Sequence, residues 1–161
     1  GGYSKKVKSL AELKDGATIA IPNEGSNSGR ALILLHKAGV IELKDPTNAL
    51  ATQRDITANP KNIRIIELEA VQLVRAYDDA DLVQGYPAYI RLSKTFDAES
   101  ALLFDGLDHP EYVIQFVIQP KSKTDPRVIK FVDIYQHSPV VRAALDKSLG
   151  KLYQVGWEDK K

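Results

Sequence analysis

Arg30 stands in the run Pro22-Asn23-Glu24-Gly25-Ser26-Asn27-Ser28-Gly29-Arg30-Ala31-Leu32, and its neighbours suggest a chemistry. An apolar segment, Ala17 to Ile21, leads into a Gly/Ser/Asn loop, and the loop opens a helix whose first turn carries one fixed cation. Backbone N–H groups without intrahelical partners and the positive end of the helix dipole would face an anion there. A guanidinium can take two carboxylate or phosphate oxygens at once. The alternative is ordinary capping: Asn, Ser and Gly commonly precede a helix, and an Arg beside them is commonly solvated or paired to a carboxylate. Asn23 and Asn27 accordingly either cap the helix or shape an anion loop. No nucleotide signature accompanies them, since neither Gly-Lys-Ser/Thr nor G-x-G-x-x-G follows the strand.

Other polar candidates are sparser. Gln84 closes the short apolar run Leu82-Val83-Gln84, where it is either a solvated strand end or a ligand contact. His36, His109 and His137 are too widely separated to carry metal-ligand spacing. Asp78, Asp79 and Asp81 read as a solvated acidic turn. Tyr86, Tyr89 and Tyr112 could line a cleft or pack a core. Ser28 lies beside Arg30 without a base partner in the sequence, so no catalytic constellation is visible and the chain is read as a non-enzyme without cofactor or metal.

The elements that must position these residues alternate between strand and helix, which favours a mainly parallel α/β sheet. Ser9-Leu10-Ala11-Glu12 has the form of a capping box opening a short helix that Asp15-Gly16 closes. After the strand Ala17 to Ile21, a helix puts Ala31, Leu34, Leu35 and Ala38 on one face and stops at Gly39. Asp45 to Thr57 reads mostly as an irregular connection, and Asn59-Pro60-Lys61-Asn62 as a turn before the strand Ile63 to Leu68. Ala70, Leu73, Val74 and Tyr77 form a second helical stripe. Pro87 is a natural first helical residue. Two further strands are expected, Ala101 to Phe104 and Tyr112 to Ile118. From Asp125-Pro126 the pattern becomes helical, with Val128, Phe131, Val132 and Tyr135 on one face, a second start at Ser138-Pro139 and a stop at Gly150. The charge-rich tail is Glu158 to Lys161.

Composition narrows the function classes. With 22 basic and 21 acidic residues among 161, the net charge of +1 supplies no basic surplus for nucleic acid. Zero Cys removes disulfides, thiolate metal sites and a Cys nucleophile. No apolar stretch approaches the ~18 residues of a membrane span. The chain opens Gly1-Gly2-Tyr3 without Met or a signal sequence, which reads as a processed or excised chain.

Several blocks occur in the order found in one family. They are Gly2-Tyr3-Ser4-Lys5-Lys6-Val7-Lys8-Ser9-Leu10, Ala20-Ile21-Pro22-Asn23, Asn27-x-Gly29-Arg30-Ala31-Leu32, Asn59-Pro60-Lys61-Asn62, Glu67-Leu68-Glu69-Ala70-x-Gln72-Leu73, Phe131-Val132-x-x-Tyr135-Gln136 and Gly156-Trp157. Together they resemble the NLPA-type lipoproteins, the methionine-binding subunits of bacterial ABC importers. The resemblance implies a periplasmic-binding-protein type II-like α/β lobe, residues 7–112, with a mainly parallel sheet. It also implies that residues 113–161 are a returning strand and C-terminal helices belonging to the other lobe, most of which precedes this chain in the family. A lipid on that preceding region would anchor the protein in the bacterial periplasm or cell envelope.

The same resemblance implies that Arg30 pairs with the carboxylate of an amino-acid ligand, methionine or an analogue. It places Gln84 where the family has an Asn contacting the head group. The family's second Asn falls at Ile114 or Gln115, depending on a one-residue gap, and Gln115 is the one that keeps the amide. Gln moves that amide by one methylene, which bears on ligand identity. Implied partners are the importer's membrane subunits. Two alternatives share the two-lobed frame: an effector domain of a transcription regulator, for which no helix-turn-helix or basic stripe is present, and a truncated lobe that pairs with itself as a homodimer or by exchanging C-terminal helices.

Overall fold

The computed structural model describes residues 1–157 and divides into two compact units at Asp105/Gly106. The Glu158–Lys161 tail lies outside the described residues.

The first unit is built on a four-stranded sheet. Strands β2 (Thr18–Pro22), β5 (Arg64–Leu68) and β6 (Leu82–Gln84) run parallel, with β2 between the other two. Strand β1 (Gly2–Tyr3) adds antiparallel to β6, giving the order β1-β6-β2-β5. Four of the five residues of β2 are buried, as a central parallel strand covered on both faces requires. Side-chain alternation sorts those faces. Ile19, Ile21 and Leu82 cluster with Ala31, Leu32, Ile33 and Leu35 of helix α1 (Gly25–Lys37). Ala20 and Val83 cluster with Leu73 of helix α2 (Ala70–Ala76) on the opposite side.

Helix α1 is buried more widely than its expected stripe. Leu32 and Ile33 are buried as well, whereas Ala38 is exposed. The cause is a loop lying against the helix: a Cβ on Gly29 would sit 2.2 Å from the carbonyl oxygen of Ala49, so only glycine admits this approach. Beyond the helix, Gly39 takes φ +71, the left-handed conformation that ends helices.

Smaller elements follow the sequence with exceptions. Strands β3 (Glu42–Leu43) and β4 (Ile56–Ala58) pair into a two-stranded antiparallel sheet at the ends of the otherwise irregular 44–55 connection. In the turn before β5, the Asn59 side chain both accepts from the Ile63 N–H at 2.8 Å and donates to the Ile63 carbonyl at 2.9 Å. Pro87 opens helix α3 (Pro87–Ser93) as its first residue. At Ser9–Glu12 there is only a single 3₁₀ turn, Leu10–Glu12, and the Ser9 hydroxyl meets the Glu12 carboxylate instead of a helical N–H. The expected strand Ala101–Phe104 reduces to one bridge, Leu103 opposite Gly2.

The second unit holds helices α4 (Pro126–His137) and α5 (Pro139–Leu149), both starting with Pro as expected, with Gly150 at φ +57 closing α5. The expected strand Tyr112–Ile118 does not form. Pro110–Tyr112 is a 3₁₀ turn, and the segment after it is irregular and exposed from Ile114 onward. Its alternating apolar residues suit a sheet, but a strand needs a neighbour to satisfy its N–H and C=O groups. Among the described residues none pairs with it.

Candidate functional site

Open parallel sheets present their chemistry at the carboxyl ends of the strands, and that edge is where the sequence candidates of the first unit gather. Pro22 closes β2 and Gln84 closes β6. Alternation along β6 puts Gln84 on the face of Leu82, the face that α1 covers, and therefore on the side of Arg30. Gln84 is only 2% exposed, and its Nε2 has no hydrogen-bond partner. A buried amide donor in that condition costs free energy until an acceptor reaches it.

Arg30 lies in the second turn of α1, not the first. The helix begins at Gly25 behind Glu24, whose side chain makes no cap, so Gly25, Ser26, Asn27 and Ser28 form its first turn rather than a loop before it. Gly25 and Ser26 are exposed while Ser28 is buried, so the short side chains let this first turn lie against the lobe without crowding, and a loop-like composition folds as helix. Neither Asn23 nor Asn27 caps it. Asn23 is exposed, and its backbone N–H instead extends the β2–β5 pairing by donating to the Leu68 carbonyl at 3.0 Å. Asn27 is half-buried.

The Arg30 Nε donates to the carboxylate of Asp105. The two side chains are 26% and 14% exposed, so this is a sheltered ion pair, with less water to screen it than a surface pair has. Asp105 arrives through the short pairing of Gly2 with Leu103, in which the Gly2 N–H donates to the Leu103 carbonyl at 3.0 Å and the Leu102 N–H donates to the Gly2 carbonyl at 2.7 Å. Gly2 also stands opposite Gln84 in the β1–β6 register. The Gly1 nitrogen, which donates to the Gly85 carbonyl at 3.1 Å, lies within electrostatic reach of both Arg30 and Asp105. A cation, an anion and a buried amide therefore converge at one edge of the sheet.

Asp105 is the residue that sequence reading missed. Asp105-Gly106 has the form of a turn dipeptide, and nothing local ties it to a helix 75 residues earlier. The usable signal was the apolar run Ala101–Phe104, whose pairing with Gly2 carries Asp105 to the site.

Tyr86 and Tyr89 line a small apolar recess with Ala70, Leu73, Val74, Val83 and Ile90, on the α2 face of the sheet and so opposite Arg30. Gln115 belongs to the second unit, exposed in its irregular segment. Among the described residues no group of three or more His, Cys, Asp or Glu could hold a metal ion, and no helix is long and apolar enough to cross a membrane.

The mainly parallel α/β lobe, with its charged, partly buried strand ends, superposes on periplasmic substrate-binding proteins, and comparison with known proteins gives the family. The NlpA lipoprotein family model matches residues 1–157, and the chain belongs to that family. The D-methionine-binding lipoprotein MetQ of Salmonella typhi is 45% identical over 148 residues, covering 89% of this chain and 53% of that protein. The solved ABC transporter periplasmic substrate-binding protein from Coxiella burnetii superposes with a TM-score of 0.80 at 40% identity, over 94% of this chain and 63% of its own. A nutrient-binding protein from Burkholderia cenocepacia, solved bound to methionine, gives 0.75 at 40% identity, over 94% and 64%. The chain thus spans about half the length of the curated relatives it matches.

Proposed function

We propose that this chain is part of a substrate-binding component of an ABC importer that takes methionine or a related amino acid between two lobes. In this reading residues 7–112 are the second lobe, and residues 113–161 complete a first lobe built mostly from preceding sequence. Arg30 holds the ligand carboxylate, Gln84 and Gln115 supply amides to the head group, and Asn23 and Asn27 shape the rim. The protein works in the periplasm or cell envelope, held there by a lipid on the preceding region, and delivers its ligand to the importer's membrane subunits. Without a first lobe the chain binds free methionine weakly and self-associates through its uncovered C-terminal helices.

The observation that carries this reading is the partnerless, buried Gln84 amide on the same sheet face as Arg30, in a chain whose relatives include a methionine-binding lipoprotein and a methionine-bound structure. Both groups donate hydrogen bonds, which is what a carboxylate accepts. The test is Arg30→Ala in the gene product that carries this chain. Loss of the sheltered cation should weaken amino-acid binding by about 3–5 kcal/mol in calorimetry. Arg30→Lys should recover only part, because a point charge cannot reproduce the guanidinium fork. Unchanged affinity in the Ala variant removes the proposal.

A further inference from the structure

The pairing of Arg30 with Asp105 bears on which ligands the site accepts, given the amino-acid-binding reading above. Two opposite charges, 26% and 14% exposed, stand side by side at the sheet edge that also carries the buried, partnerless Gln84 amide. Charges sheltered to that degree are costly to leave without a counter-charge. A carboxylate ligand that engaged Arg30 alone would bring a second anion up against Asp105, a repulsive arrangement in a half-buried place. An amino-acid zwitterion carries both required counter-charges on one carbon. Its carboxylate meets the guanidinium and the Gln84 Nε2, and its ammonium meets the Asp105 carboxylate, so no charge is stranded.

We propose that Asp105 reads the α-ammonium group of the ligand, so that its pairing with Arg30 opens into two pairs, one at each end of the zwitterion. Asp105 is then a specificity determinant that favours free amino acids over their N-acylated forms. The opposite role for the same contact would be competition, with Asp105 occupying the guanidinium against the ligand carboxylate. The two roles differ in sign.

The experiment measures calorimetric affinity for L-methionine and N-acetyl-L-methionine in the gene product that carries this chain, as native protein and as Asp105→Asn and Asp105→Glu. Asp105→Asn is expected to weaken L-methionine binding by about 30-fold or more and to leave N-acetyl-L-methionine no weaker and up to about tenfold tighter, because the repelling charge is gone, collapsing the ratio between the two. Asp105→Glu, which keeps the charge, should restore most of the discrimination and covers the case in which the Asn variant does not fold. Equal losses for both probes would mark Asp105 as merely structural, and tighter or unchanged L-methionine binding would mark it as a competitor or a bystander; each overturns the proposal while leaving the binding-protein reading intact. If the native protein binds no member of a panel of L- and D-amino acids, that reading falls and the role of Asp105 falls with it.

Discussion

The two units of this chain use the same local signals and reach different ends. In the first, Ile19, Ala20, Ile21, Leu32, Leu35 and Leu82 are completely buried between α1, the sheet and α2. In the second, no residue from 106 to 157 is buried, although α4 and α5 are as well marked as any helix in the molecule, each opened by Pro and the first capped by Asp125. Phe131 is 56% exposed and Val140 78%. What organises the second unit is aromatic contact: Phe116 stands edge-on to Phe131 and Tyr135, with ring centroids 5.4 and 5.0 Å apart, and Tyr135 meets Trp157 at 6.0 Å. Caps and starts place a helix; only a second layer against its apolar stripe makes a core.

The largest expected effect tests that contrast directly. Leu32→Ala removes a fully buried side chain from the first unit and should lower stability by about 2–5 kcal/mol in urea unfolding. Phe131→Ala removes a larger ring from a half-open surface and should cost less than about 1 kcal/mol. Equal costs would mean that the second unit has a core after all. In a gene product that supplies a full first lobe, the Phe131 cost should rise toward the Leu32 value, because the ring would then have a partner surface to lose.

The same difference explains what could be read from the sequence. The alternation of strand and helix, the stops at Gly39 and Gly150 and the starts at Pro87, Pro126 and Pro139 are legible because each rests on residues near one another in the chain, and the parallel sheet, whose strands pair across 46 or more residues, is legible only through that alternation. The Tyr112–Ile118 segment misled for the opposite reason: its alternation is that of a strand, but strand formation depends on a pairing edge that local sequence does not contain. At the site, Arg30 and the burial of Gln84 both bear on the predicted strand-end chemistry. The turn in which Arg30 lies was displaced by one, because Gly-Ser-Asn-Ser looks like loop yet fits a helix start. Asp105 carries no local mark of its own, and the apolar run before it points to the site only through a bridge between Gly2 and Leu103 at opposite ends of the unit.

A second prediction sharpens the comparison from the buried side. Tyr3 is completely buried, lies tilted against Phe96 with ring centroids 5.4 Å apart and donates its hydroxyl to the Ala98 carbonyl at 3.1 Å. Burial, with a smaller contribution from the Asp97 charge, pushes its hydroxyl up to about 12 from an ordinary value of 10.0. The folded state thus holds the proton more tightly than the unfolded chain. The stability this confers is complete below pH 10 and is lost as pH rises toward 12, at up to about 1.4 kcal/mol per pH unit. Tyr3→Phe should lose stability at neutral pH but flatten the alkaline fall. A native profile that matches the Phe variant between pH 10 and 12 would show that Tyr3 does not govern it. Tyr153 in the second unit, whose hydroxyl is pushed up chiefly by its bond to Asp146 rather than by burial, gives the contrasting case.

The smallest effect belongs to the open unit. Asp125 caps α4 by accepting from the Arg127 N–H at 2.9 Å, and the Arg127 side chain bonds the same carboxylate at 3.1 and 2.7 Å. The Arg127 side-chain contact, with the backbone N–H second, holds the Asp125 carboxyl below its ordinary value. Its contribution is therefore present above the usual carboxylate range and is lost as pH falls through it. Removing the cap with Asp125→Ala frees the first-turn N–H groups, and because α4 buries no residue, little tertiary packing holds that turn in place. Hydrogen exchange should show faster amides at Val128 and Ile129, with β2 in the first unit unchanged. As pH falls through and below the ordinary carboxylate range the native protein should show the same local fraying, while the Ala variant, already uncapped, should add none there. Fraying that spreads to β2 would mean that the two units share more of their stability than a core confined to the first unit implies.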